Sequence, residues 1–390
     1  MYWVYRNIPL DNEKENFTNT INKSWKEIYV NIASCKGSEN QCLRIAWTLF
    51  VSYTPKNWEG YGGFKSDNVI PLRDFTKKSK EDTKRFVLEF TDGLALISKH
   101  YSAIIKPNEL NNKLEYEILT KIKNAGNIAN YLPLMVAVRI KVDKEEISQK
   151  DYLNFLNSLE IFSFRVFLWE GKRSNAGLSK FYAWSNDIFS DRQELSTITE
   201  WIYGTANWYS NENSFRKKLK EDFYNWYKTR RLLKYTLFEY ELWILKKEGK
   251  GNIPKLNWND LSDATLEHIL PQNPNVNSDW LKNWDTNNFA KYLHDISNLV
   301  LTKDNSHYLN FDFDRKKGSS GVGHCYSNSD IRQERKISEF SEWTVNSCIK
   351  RRVELENWIV ERWGIEKHFV IPSNLAEDDA EDELIEINLE

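Results

Sequence analysis

Four cysteines in 390 residues, Cys35, Cys42, Cys325 and Cys348, include no CxxC pair. That excludes a zinc ribbon and a secreted disulfide framework, and predicts free thiols. No run of eighteen apolar residues is present, so no membrane-spanning helix is expected. The opening stretch MYWVYRNIPLDNEKENF lacks both the charged start and the continuous apolar region of a signal peptide, which predicts a cytoplasmic protein. No GxxxxGK[ST] phosphate loop occurs, so this chain is expected to bind no nucleotide. Internal repeats are also missing. Methionine is scarce, at two residues, but sixteen Trp, nineteen Tyr and twenty Phe supply rings for a large core. With 41% hydrophobic and 28% charged residues, the length suggests a globular chain of two or three domains.

The formal charge of -2 hides an asymmetry. Glu377–Glu390 holds eight acids and no Lys or Arg, which leaves 54 basic residues against 48 acidic ones before it, a formal +6. The C-terminal run reads as a solvated, disordered tail, and the body as mildly basic.

Up to about residue 250, apolar residues recur at helical intervals in QCLRIAWTLFVSY, TKRFVLEFTDGLALISKHYSAII, YLPLMVAVRIKV, DYLNFLNSLEIFSFRVFLW and SFRKKLKEDFYNWYKTRRLLKYTLFEYELWILKK. Thr54–Gly63 and Gly171–Gly177 read as loops. A Gly- and Asn-rich connection, Lys246–Asp260, marks the expected boundary, giving a helical domain over 1–250, a second domain over 251–368 and the tail over 369–390. Beyond the boundary the texture changes. ATLEHIL and ISNLVLT read as strands joined by a long polar connection, and NSHYLNFDFDRKK can open a helix.

A strand bearing His268, a return strand bearing Asn298, and a helical segment bearing Asn305 and Lys316-Lys317 make a ββα arrangement. These residues, with Glu267 before the histidine, resemble the HNH motif of the ββα-metal nucleases. The blocks EHILPQ, ISNLVLTKDNS and NSHYLNFDFDRKK are similar to the DUF1524 nuclease region of GmrSD-type, modification-dependent restriction enzymes. Weaker similarity runs through Phe164–Tyr182, Arg230–Trp243 and Glu342–Trp363. The resemblance implies an α+β chain, predominantly α-helical, with a C-terminal ββα-metal (HNH, His-Me finger) nuclease domain. The implied function is a Mg²⁺-dependent DNA endonuclease of a type IV restriction or antiphage system, with Mn²⁺ able to substitute. No motif of the family's usual DUF262 nucleotide-hydrolysing domain is found, so the chain is expected to be the nuclease-bearing half of a two-subunit system or a fragment. The helical domain would then dock a DUF262-type partner. A non-catalytic DNA-binding or assembly subunit retaining the fold is the competing expectation.

Hydrolysis of a phosphodiester needs an activated water, charge neutralisation and in-line positioning. His268 suits the first task, because a neutral imidazole takes a proton from water. By the resemblance, Asn298 organises the region and is expected to hold the other ring nitrogen. Glu267 and Asn305 supply the oxygens that Mg²⁺ prefers. Adjacent strand residues face opposite sides, so Glu267 and His268 share a site only if the strand bends before Pro271. Asn310, Arg315, Lys316 and Lys317 are assigned to DNA, with Arg332, Arg335 and Lys336 adding positive charge downstream. Gly318–Ser329 reads as a mobile loop. The basic stretch Arg216–Arg231 reads as an amphipathic helix with a secondary DNA contact. His294 and His307 lie near the proposed site without an assigned role.

Overall fold

The three- and four-residue apolar spacing of the first half is realised as helices. The computed structural model describes residues 13–33, 35, 39–50, 79–249, 255–303, 305–318 and 323–368. The expected acidic tail over 369–390 and the loop at Thr54–Gly63 lie outside those residues, as do 250–254 of the Lys246–Asp260 connection and 319–322 of the Gly318–Ser329 loop. The chain gathers into two units that part after Tyr209. One runs to Phe167 and continues over Gly171–Tyr209, and the other consists of Leu168–Glu170 and Ser210–Lys367.

The first unit contains α1 (Lys14–Ile32), α2 (Glu39–Phe50), α3 (Lys80–Ile105), α4 (Lys113–Ala125), α5 (Leu132–Asp143), α6 (Gln149–Phe162), α7 (Leu178–Phe189) and α8 (Leu195–Tyr209). Helices α1 and α2 pack on α3, α3 and α7 on α5, and α4 and α8 on α6. Leu132 to Val138 are buried on every face of α5, as an all-round apolar sequence requires of a central helix. The side chains of Ser79, Asn112 and Ser148 accept backbone N–H groups at the starts of α3, α4 and α6, which otherwise lack partners. A buried polar cluster joins four of these helices, α3 to α6: Arg139 donates to Glu115 at 2.8 Å and lies 3.0 Å from His100 Nδ1, and the Tyr152 hydroxyl donates to Glu115 at 2.8 Å.

In the second unit, the sequence from Ser214 to Lys247 is not the single helix its spacing predicts. It forms α9 (Glu212–Lys217), a π-helical turn over Lys218–Asp222, a 3-10 turn over Trp226–Lys228, and α10 (Arg230–Lys247). The Asn225 side chain accepts the Lys228 N–H at 3.2 Å, which starts the 3-10 turn. The Trp226 ring is fully buried, with ring centroids of Phe223 and Trp169 at 4.8 and 5.8 Å. Burying that indole on a break in the helix outweighs continuing the periodicity.

Two three-residue strands follow, β1 (Leu266–His268) and β2 (Leu299–Leu301), paired antiparallel with Glu267 opposite Val300 and His268 opposite Leu299. Between them lie α11 (Asp279–Asn283) and α12 (Thr286–Tyr292); after them come a 3-10 turn at Asn305–His307, α13 (Phe313–Lys317), α14 (Arg332–Ser338) and α15 (Val345–Trp363). Helix α10 packs on β2 and α14, so the connection expected to be a domain boundary lies inside this unit. A core of Ile269, Leu270, Val300 and the rings of Trp280, Trp284, Tyr308 and Trp343 fixes the strands. The four cysteines are buried thiols, as expected, and none is joined in a disulfide. Among the described residues no helix is long and apolar enough to cross a membrane.

Candidate active site

Glu267 and His268, side by side in β1, face opposite sides of the strand, as pleated geometry requires. On one side, Lys316 Nζ from α13 donates to Glu267 Oε1 at 2.6 Å and to the backbone oxygens of His268 and Ile269 at 2.9 and 3.0 Å. The Tyr326 hydroxyl donates to the same Glu267 oxygen at 3.1 Å. Both partners are buried, with side-chain exposures of 0% for Lys316 and 6% for Glu267. Burial pushes the Glu267 carboxyl up and the Lys316 ammonium down, and each charge partly offsets the other's shift. Lys316, expected on the DNA backbone, therefore has its ammonium inside the protein, tying α13 to β1.

On the other side, His268 Nε2 lies 3.2 Å from His294 Nδ1, and His268 Nδ1 lies 3.4 Å from the side-chain nitrogen of Gln272. The Tyr227 ring stands edge-on to His268 at 4.7 Å and stacks on His294 at 5.3 Å with an interplanar angle of 11°. Arg230, paired with Asp263 at 2.7 Å, places its guanidinium 4.7 Å from the Tyr227 centroid. Burial, then the His294 and Lys316 charges, lowers the His268 pKa to about 3, so its ring is neutral at neutral pH.

Asn298 is fully buried, and its side chain makes four hydrogen bonds. Its Oδ1 accepts from the Leu270 N–H at 2.7 Å and from Trp343 Nε1 at 3.1 Å, and its Nδ2 donates to the Leu270 and Leu293 oxygens, each at 3.0 Å. The Asn298 carbonyl also accepts the Ile269 N–H at 3.0 Å. Asn298 thus clamps the chain immediately after His268. It does not reach the second ring nitrogen, the role expected of it; His294 stands there. The turn that carries both is anchored from α15, where Arg352 pairs with the buried Asp295 and Arg351 donates to the Ile296 and Ser297 oxygens.

The remaining expected residues are dispersed. Asn305 is half-buried, and its Nδ2 donates to the Leu266 oxygen at 3.0 Å, two residues along β1 from His268. Asn310 is half-buried in the turn before α13. Lys317 Nζ donates to the Phe340 oxygen at 2.7 Å, whereas Arg315 stays exposed with its guanidinium 3.3 Å from the Phe311 centroid. Downstream, Lys336 pairs with Glu354 at 2.7 Å, Arg332 with Glu248 at 2.9 Å, and Arg335 donates to the Ser329 oxygen. His307 and His324 stack at 4.2 Å. Another buried carboxyl, Glu334, accepts from Ser329 and is raised to about 7 by burial, with Tyr308 and Thr302 beside it.

As arranged, these residues do not fit a divalent cation. The Glu267 carboxylate is neutralised by Lys316, so an ion at Glu267 would have to displace an ammonium from a buried contact, and Asn305 alone is not a site. Among the described residues no group of three or more His, Cys, Asp or Glu side chains is placed to hold a metal ion.

Tyr227, Gln272, Arg230 and His294 were not assigned to the site from sequence. Tyr227 and Arg230 sit in a stretch whose helical spacing pointed to packing. His294 carried a usable signal, a histidine four residues before the motif asparagine, in the connection that returns to β2. The turn at Trp226–Lys228 brings these elements together, since the Trp226 and Tyr227 N–H groups donate to the His294 oxygen at 3.0 and 3.4 Å.

No curated protein matches the chain. The family model that describes the C-terminal domain of GmrSD restriction endonucleases matches residues 209–358, a span that lies almost wholly within the long segment of the second unit, Ser210–Lys367, and contains every residue placed around His268.

Proposed function

We propose that the second unit is a DNA endonuclease domain of GmrSD type with the ββα-metal fold, in which His268 is the general base. The observation that supports this reading most is the position of His268. It lies within the span similar to the GmrSD C-terminal domain, is neutral, stands at the end of a short strand, and is followed by a backbone clamped by a buried asparagine. A neutral imidazole removes a proton from water as the oxygen attacks phosphorus, and the displaced oxygen leaves with the nicked strand. The low pKa of the free site makes His268 a weak base, and an anionic phosphodiester beside it shifts the pKa back toward the working range. Exposed Arg315, and Arg230 on the Tyr227 side, are the cations we assign to the DNA backbone. Asn298 is a positioning residue, and Glu267 with Lys316 forms a buried tie beneath the strand.

The family resemblance calls for Mg²⁺, with Mn²⁺ as a substitute, and for a DUF262-type nucleotide-hydrolysing partner that couples recognition of modified DNA to cleavage. Glu267 is already paired with Lys316, so a cation there would have to displace the buried ammonium. That pairing is the one observation favouring the second reading, a non-catalytic DNA-binding or assembly subunit. Plasmid cleavage by the purified chain, in Mg²⁺, Mn²⁺ and EDTA, with and without a DUF262-type partner and nucleotide, separates the two. Nicked or linear product in any arm supports the endonuclease, and DNA binding without product in every arm supports the subunit.

A further inference from the structure

A histidine base needs one ring nitrogen without a proton, and hydrogen bonds decide which one. The side-chain nitrogen of Gln272, an exposed residue, faces His268 Nδ1 at 3.4 Å. An amide nitrogen can only donate, so His268 Nδ1 is the acceptor and carries the lone pair. The proton then sits on Nε2, which faces His294 Nδ1 at 3.2 Å, and His294 keeps its own proton on Nε2. We propose that His294 is a positioning residue for phosphodiester hydrolysis: it accepts from His268 Nε2, holds His268 in the Nε2–H tautomer, and leaves the Nδ1 lone pair toward the solvent side covered by Gln272. The proposal rests on the reading of His268 as the base.

The surroundings of His294 fit this task. Its backbone oxygen is held by the Trp226 and Tyr227 N–H groups, and the neighbouring Leu293 oxygen by Asn298. Its ring is clamped by the parallel Tyr227 ring. Burial lowers its pKa, so the ring stays a neutral acceptor. The weak 3.4 Å contact from Gln272 is the one a reacting water can replace without disturbing the chain of bonds behind His268.

The test is the tautomeric state of His268 in the full chain labelled with ¹⁵N-histidine, its signals identified by their loss in His268→Gln. The wild type is expected to show a protonated Nε2 and an unprotonated Nδ1. His294→Ala should give a mixture of tautomers, and His294→Asn, whose Oδ1 can accept in place of the ring nitrogen, should restore the Nε2–H form. In plasmid cleavage, His294→Ala should lower kcat severalfold, in proportion to the share of His268 that leaves the Nε2–H tautomer, with KM nearly unchanged, and His294→Asn should recover most of the loss. A wild-type His268 protonated on Nδ1, or a His294→Ala variant with unaltered tautomer, would overturn the proposal. The wild-type spectrum needs neither a variant that folds nor a chain that cuts DNA, so the tautomer stands or falls separately from the endonuclease reading.

Discussion

Exchanging Lys316 for Met removes the ammonium that neutralises Glu267 and satisfies two backbone oxygens. The carboxylate left behind is buried, with the Tyr326 hydroxyl and the His268 N–H as donors and, among the described residues, no cation beside it to replace Lys316. Removing one partner of a buried ion pair costs about 3–5 kcal/mol, because the other charge remains without compensation. At roughly 1.4 kcal/mol per decade, that corresponds to an increase of about 150- to 5,000-fold in opening of the β1–β2 pair. Hydrogen exchange at the Ile269 and Thr302 amides, which bond to the Asn298 and Thr265 oxygens, reads this opening directly. The double variant Glu267→Gln/Lys316→Met removes both charges and should lie within about 2 kcal/mol of wild type, giving a favourable coupling in the double-mutant cycle. Exchange within about threefold of wild type in Lys316→Met, or a double variant as unstable as the sum of the singles, would refute the buried tie.

Glu334, raised to about 7 from 4.5, binds its proton more tightly folded than unfolded. Its contribution is therefore fully present below about pH 4.5 and lost as pH rises to 7, a decline on the order of 3 kcal/mol that Glu334→Gln should remove; urea midpoints at pH 5 and 8 check this. Asn298→Ala should leave buried backbone groups without partners, at about 1–3 kcal/mol each, so thermal unfolding should show destabilisation as well as lost activity. A variant that loses activity at unchanged Tm would make Asn298 more than a clamp. Gly318 ends α13 at φ +111, where an added Cβ would meet Cys325 Sγ and Ser327 Oγ at 2.6 Å. Gly318→Ala should therefore cost more than about 1 kcal/mol, seen as a lower Tm.

Helices α2, α3, α5 and α6 of the first unit were legible because their apolar residues recur at helical spacing, whereas α1, α4, α7 and α8 lie outside the stretches where that spacing was read. The same rule failed over Ser214–Lys247, where one indole, Trp226, gains more by burial at a break than the helix gains by continuing. Both strands were legible as the short apolar runs ATLEHIL and ISNLVLT, but each pairs over only three residues, because Asp263–Thr265 and Ile296–Asn298 wind into 3-10 turns ahead of them. Pair partners were not: nothing in RKK says that the middle lysine turns inward to Glu267 while Arg315 stays exposed, because five-residue α13 presents both faces in a single turn. His294 escaped assignment for the same reason. Its meeting with His268 depends on a connection folded back by Arg351, Arg352 and Asn298, contacts distant in sequence.

The most direct test is cleavage of supercoiled plasmid by His268→Ala beside the wild-type chain, under whichever metal and partner conditions give the wild type its highest rate. Loss of a general base should lower cleavage by at least about a hundredfold while DNA binding and Tm stay close to wild type. Cleavage by His268→Ala at near the wild-type rate would contradict the account.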